Sequence, residues 1–225
     1  MTRVEILALF RADNPEITDR VMTDAAAYAY LKEGNKEACT IAKCIVGDTT
    51  FSSVATTSVY TTKYDLTTLI TKFYDIDFNP GGGVIFNGKP LEKITVAELD
   101  MLYPSGSWRS RSAGTPKKWY RRGNYLYFDY PVLTASLDIM VYTVLLPDDF
   151  DDDIKEPFNS LTYLRPYHIA LVKYLKAMGK AKIGKPQEAQ LAMQEFREYC
   201  KWFGKEITGS KFGRIYYQPK AGYAK

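Results

Sequence analysis

The sequence predicts an α+β protein: a helical bundle from both chain ends, an inserted, mainly antiparallel β domain, and an extended C-terminal tail. Three observations carry this. Helical periodicity occupies the two ends of the chain. After Gly47-Asp48 the composition switches to β-branched and aromatic residues, and long helix-forming sequence returns beyond the acidic run 148–156. The boundaries read from these changes are residues 1–50 and 155–208 for the bundle, 51–154 for the β domain and 209–225 for the tail.

Each element has its own signal. "TRVEILALFRA" reads as a short amphipathic helix, ended by Asp13-Asn14-Pro15. A longer helix is expected from Thr18, with Leu31, Asn35, Ala38, Ala42 and Ile45 recurring at spacings of 4, 3, 4 and 3. Gly34 inside it costs about 1 kcal/mol of helix propensity relative to Ala. "TTFSSVATTSVYTT" and "LITKFYDIDF" favour strands, followed by a loop at Asn79-Pro80-Gly81-Gly82-Gly83. "VIF", Asn87-Gly88 and "KPLEKI" read as a hairpin.

Thr95 and Glu98 have the capping-box spacing, so "TVAELDMLYP" is expected to be a short helix before Pro104. "GTPKKWYRRGNYLYFDYP" folds as a second hairpin across Gly123-Asn124. "SLDIMVYTVLL" has apolar residues on both faces, as in a strand covered on both sides. "RPYHIALVKYLKAMGKAK" restarts helix with Pro166 at the first helical position. A last helix opens at Pro186, with Ala189, Met193, Phe196, Cys200 and Phe203 on one face, and the short Gly184-Lys185 link makes the two antiparallel neighbours.

The bulk numbers narrow the function classes. With 225 residues, 46% hydrophobic and 25% charged, the chain can bury one sizeable core or a core with a subsidiary domain. A net charge of +4 is too mild to argue for nucleic acid by itself. Cys39, Cys44 and Cys200 make an odd count, which fits a reducing cytoplasm and buried packing. The N-terminus lacks the features of a signal peptide, and no segment approaches the roughly 18 apolar residues of a membrane span.

Catalytic motifs are near misses. Gly83, Gly88 and Lys89 have the P-loop spacing, but Pro90 replaces the Ser or Thr that would hold magnesium. Asp149, Asp151 and Asp153 match the first EF-hand ligands, but Ile154 occupies the position of the turn glycine and Ser160 that of the bidentate glutamate. His168, the only histidine, has no identifiable nucleophile beside it. The sequence therefore predicts no enzyme, no cofactor and no metal.

Binding remains. Between Met101 and Phe128 six basic residues occur without an acid, interleaved with Trp108, Trp119, Tyr120 and Tyr125. Such a pattern suits a protein interface through Trp108, Arg109, Lys117, Lys118, Trp119, Arg121 and Arg122. A solvated face and a nucleic-acid grip are the alternatives. The acidic run in the same chain makes docking between copies attractive. In the basic tail, Phe212, Arg214, Ile215, Tyr216, Tyr217 and Tyr223 are too apolar for a solubilising segment. They are expected to fold upon a partner, the alternative being a tail folded back on its own bundle.

The segments "KPLEKITVAELDMLYP", "SWRSRSAGTPKKWYRRGNYLYFDYP", "VYTVLLPDDFDDD" and "RPYHIALVKYLKAMGKAK", in this order, resemble the head-to-tail adaptor proteins of tailed bacteriophages. The resemblance spans roughly Asn87 to Ala181. It implies a non-catalytic virion protein of the neck, assembled in the host cytoplasm. Its partners would be a portal protein, identical subunits in a dodecameric ring and the next tail or neck component. DNA would pass through such a ring without sequence-specific binding, and no membrane is involved. A tail-terminator or tail-tube protein, a free nucleic-acid-binding module and a small hydrolase or transferase are the rival classes.

Overall fold

A computed structural model describes residues 1–56, 63–78, 82–103 and 108–209. The chain is α+β and antiparallel-rich. It begins with α1 (Arg3–Asp13) and α2 (Asp24–Ala42), then β1 (Val46–Ser52), β2 (Lys63–Asp65), α3 (Leu66–Leu69) and β3 (Phe73–Ile76). Next come β4 (Val84–Phe86), β5 (Lys89–Pro90), β6 (Glu92–Lys93) and α4 (Val96–Leu102). The hairpin β7 (Lys118–Arg122) and β8 (Tyr125–Phe128), strand β9 (Asp138–Leu145), α5 (Ile169–Lys182) and α6 (Pro186–Gly209) complete it. It divides into two compact units, Met1–Ile45 with Leu146–Lys225, and Val46–Leu145. These seams differ from the boundaries read in the sequence because β1 already begins at Val46. The acidic segment after Pro147 pairs with the helices.

In the helical unit, Thr2 and Glu5 form a capping box that starts α1. Helix α2 starts at Asp24, not at Thr18. The amides of Val21 and Met22 both bond back to the Thr18 carbonyl in a turn, and Thr23 then caps the helix. Leu31, Asn35, Ala38 and Ala42 form its buried face, and the left-handed Lys43 (φ 51°) ends it. Pro166 lies inside a 3₁₀ segment, Thr162–His168, and α-helical bonding begins only at Ile169.

The return into the helices is strained. Phe158, Asn159 and Ser160 all have positive φ (56°, 57° and 54°), a conformation that costs about 1–2 kcal/mol per L-residue. Their surroundings hold them there. Asn35, itself buried, accepts the Phe158 amide at 3.2 Å, and Asn159 Oδ1 accepts the Asp148 amide at 2.6 Å. The Phe158 ring is enclosed against His168 and Phe203.

Glycines set the helix approaches. A Cβ at Gly34 would lie 2.7 Å from the Tyr174 ring of α5, and one at Gly179 would lie 2.5 Å from Ile17. At Gly204 of α6 it would lie 2.8 Å from the Ala42 carbonyl oxygen and 2.9 Å from the Ala42 Cα. Backbone cannot rotate away as a side chain can.

In the second unit β9 is the hub of one sheet. It pairs with β1 along one side, and with β4 and β3 in succession along the other. The second sheet runs β2-β8-β7-β6, antiparallel except for β6 with β7. "KPLEKI" therefore does not form one hairpin arm. Lys89-Pro90 pairs with β4, and Glu92-Lys93 crosses to the other sheet. Leu66–Leu69, which ends on the first residue of the strand-favouring stretch "LITKFYDIDF", is a helical turn capped by Asp65. In the strand expected to be covered on both faces, Ile139, Val141 and Thr143 are buried on one face, while on the other Val144 is buried and Met140 and Tyr142 are half-buried.

Phe73, Ile76, Val84, Phe86, Trp119, Leu126, Phe128, Ile139 and Val141 belong to the main core of this unit. A smaller cluster of Ile94, Leu99, Trp108 and Tyr120 lies beneath α4. The turns match their chemistry: Asn87-Gly88 has positive φ at both residues, as in type I′, and Gly123 supplies the positive φ of the second hairpin.

Gly204→Ala tests the α2–α6 approach. Alanine adds about 1 kcal/mol of helix propensity, yet overpacking against the Ala42 backbone is expected to give a net loss of about 1–3 kcal/mol in urea unfolding. A stabilised variant would show that the two helices can part at no cost.

Candidate interaction surface

The β7–β8 hairpin is built around Asp129, a carboxylate 1% exposed. Its Oδ1 accepts the amides of Lys117 (3.0 Å) and Lys118 (2.9 Å), pinning the incoming "TPKK" loop to the end of β8. Burial pushes this carboxyl above its ordinary pKa, while those amides and the charge of Arg111 oppose the shift. The Arg111 guanidinium lies between the rings of Tyr103 (3.7 Å) and Tyr130 (4.3 Å).

Strand alternation distributes the other residues. Trp119 and Arg121 share the core face with Leu126 and Phe128, and Tyr120 and Arg122 lie opposite Tyr127 and Tyr125 on the other face. Trp119 is fully buried and donates its indole N–H to the Gly82 carbonyl at 3.2 Å. Arg121 covers Phe73 and pairs with Asp75 at 2.5 Å. On the opposite face Tyr120 and Tyr127 stack at 5.0 Å, and Trp108 meets Tyr120 edge-on at 5.8 Å. Trp108 is 1% exposed and donates to Asp100, which also binds Arg109. Lys118 pairs with Glu92.

These placements correct the expected surface. Trp108 and Trp119 cannot contact a partner directly, because the sheet and α4 enclose them. Arg109, Lys118 and Arg121 are engaged by acids of the same chain. Of the expected residues, Lys117 and Arg122 are exposed and have no ion pair among the described residues. Met101 (80% exposed) and Leu102 (55%) on α4 also stand outward in this unit. Asp100 and Asp129 lie immediately outside the acid-free stretch, one position beyond each end, so the charge pattern within it gives no sign of them. Phe212, Arg214, Ile215, Tyr216, Tyr217 and Tyr223 lie outside the described residues.

The catalytic near misses have structural explanations. Gly83 (φ +87°) faces Ile76, 2.8 Å from its absent Cβ, and Gly82 (φ +79°) faces the Leu91 carbonyl. "VIF" is strand β4, so these glycines serve close packing, not a phosphate cradle. Asp149 is bound by Lys32 (2.8 Å) and Lys36 (3.5 Å), and Asp153 by Arg3 (2.6 Å), which leaves less of the acidic run for a second copy. Among the described residues no group of three or more His, Cys, Asp or Glu is placed to hold a metal ion. No described helix is long and apolar enough to cross a membrane. All three cysteines are buried, and burial pushes the Cys39 and Cys200 thiols well above their ordinary pKa.

His168 is fully buried beside Phe158. Its Nδ1 accepts from the Met1 amine at 2.8 Å, and its Nε2 is buried without a hydrogen-bond partner. Burial lowers its pKa to about 4, assisted by the positive Met1 amine and opposed by Glu156.

The unfolded chain therefore takes up a proton near pH 6.5 that the folded chain refuses until about pH 4. Stability is complete above pH 6.5 and falls as pH drops toward 4, by up to about 1.4 kcal/mol per unit. Between pH 6.5 and 5, urea unfolding of His168→Gln is expected to be flatter than that of the parent; equal slopes would locate the acid sensitivity elsewhere. For the hairpin, converting Lys117 and Arg122 to Gln is expected to change the log–log salt slope of any duplex-DNA binding by no more than about 2. A fall of about 5 or more on neutralising all six cations would restore the phosphate-grip reading.

No protein-family model matches this chain, and no curated protein matches it.

Proposed function

We propose that this chain is a structural head-to-tail adaptor of a tailed-bacteriophage neck. Copies form a dodecameric ring on the portal protein and join the capsid to the next tail component. DNA passes through the ring, and no catalysis is involved. In this reading a bundle of helices from both chain ends is the scaffold, and the inserted β domain presents its hairpin to neighbours or to the tail.

The observation that carries the reading is where the adaptor-like segments fall. "KPLEKITVAELDMLYP" supplies β5, β6 and the capped α4, and the Trp108–Pro131 stretch supplies the Asp129-clamped hairpin. "VYTVLLPDDFDDD" ends β9 and enters the acidic segment, and "RPYHIALVKYLKAMGKAK" leads through the 3₁₀ segment into α5. All four segments are joints of the architecture. Internal pairing of the basic stretch also suits a channel protein, which must let DNA slide.

The test is sedimentation and electron microscopy of the chain mixed with the portal protein of the same phage. A stable ring-shaped complex is expected, weakened at least about tenfold when Lys117 and Arg122 are both changed to Glu. Failure of the parent chain to bind that portal would end the adaptor reading.

A further inference from the structure

Among the described residues, β1 is the longest strand with only one paired edge. The direction of its backbone groups follows from its neighbours. On β9, the Tyr142 amide bonds to the Gly83 carbonyl, and the carbonyls of Tyr142 and Asp138 accept the Asp77 and Asn87 amides. Even-numbered residues of β9 thus face β3 and β4, and Ile139, Val141 and Thr143 face β1, opposite Phe51, Thr49 and Gly47. Just past the strand, the Ser53 amide bonds to the Leu137 carbonyl, in the same phase.

It follows that Asp48, Thr50 and Ser52 aim their N–H and C=O groups away from the sheet. Their side chains are exposed, while Thr49 and Phe51 on the core-facing side are only half-buried. No proline blocks the edge, and its one charge, Asp48, makes no ion pair among the described residues. Native sheets usually blunt such an edge.

Sixteen residues, 210–225, follow the described chain. Within them Arg214-Ile215-Tyr216-Tyr217-Gln218 is β-branched and aromatic, and is bounded by Gly213 and Pro219. The segment carries Lys211, Arg214, Lys220 and Lys225 without an acid, complementary to Asp48. Its alternation would set Ile215 and Tyr217 beside the half-buried face of β1, and Arg214 and Tyr216 beside Asp48 and Thr50.

We propose that the Arg214–Gln218 segment of one copy adds to β1 of the next copy as an extra strand. Each copy then donates one segment and accepts one, a head-to-tail contact that closes into a ring. This deepens the ring reading above and rests on it.

The test joins full-length chains carrying Ser52→Cys to chains carrying Tyr216→Cys with a short bis-maleimide, both in concentrated free protein and on the portal. The native thiols are buried. The expected product is a covalent pair of different chains, formed at least about tenfold less when Thr50→Pro is added to the Ser52→Cys chain. Proline at 50 removes an outward amide and leaves the β9 ladder intact. Thr50→Ala is expected to have no such effect. When both cysteines are in one chain, linear and closed multimers are expected. A link formed only within single chains, or one indifferent to Thr50→Pro, overturns the proposal. Portal attachment is scored in the same samples. Attachment without the link defeats the strand pairing and leaves the adaptor reading standing; the link without attachment does the reverse.

Discussion

The antiparallel pairing of β1 with β9 is the constraint on which the architecture depends. These are the first and last strands of the unit Val46–Leu145, and they pair from Val46↔Val144 to Ser52↔Asp138. A hundred residues therefore leave the helical unit and return at adjacent points. Left unpaired, an insertion of that length would impose a closure entropy on the order of 4 kcal/mol on the helices it interrupts. The ladder meets that cost locally, so α2 and the segment after Leu146 enter the helical unit as though joined by a short link. The strained turn at Phe158–Ser160 then completes the return under the grip of Asn35.

Much of this was legible in the sequence wherever a local rule governs. The capping box at Thr95 and Glu98, the Asn87-Gly88 turn, the Pro186 start and the buried faces of α2 and α6 follow from short-range chemistry. Boundaries fixed by tertiary contacts were not legible. Thr18 looks like a helix start, but its carbonyl is taken by Val21 and Met22, and Thr23 does the capping. Gly34 reads as a propensity defect, and only the Tyr174 ring lying on it reveals a packing requirement. Glu92-Lys93 belongs to a different sheet from Lys89-Pro90, which no periodicity in six residues could show.

The basic hairpin shows how a charge window can mislead. Counted from Met101 to Phe128 it is purely cationic, yet Asp100 and Asp129 stand immediately outside and Asp75 and Glu92 reach in from other strands. The aromatic residues follow the same logic. Trp108, Tyr120 and Tyr127 pack on one another and Trp119 on the core, so several of the cations close over aromatic faces that are buried or half-buried. What survives at the surface of this unit, among the described residues, is a short list of side chains and the long open edge of β1.

An unpaired edge is a weak attractor by itself, and that weakness shapes how assembly would proceed. Ordering five residues of Arg214–Gln218 costs roughly 5–10 kcal/mol of backbone entropy. Their ladder bonds return about 1 kcal/mol each, and burying Ile215 and Tyr217 returns about 1.5–3 kcal/mol apiece. These terms come close to cancelling. The translational and rotational cost of association, at least about 4 kcal/mol, then holds free copies apart. On a template that already positions neighbours side by side, that cost is met beforehand and the same strand addition becomes favourable. On the proposed reading, a chain whose hairpin cations are largely paired internally would stay monomeric when dilute and join its copies at high concentration or where a larger partner gathers them.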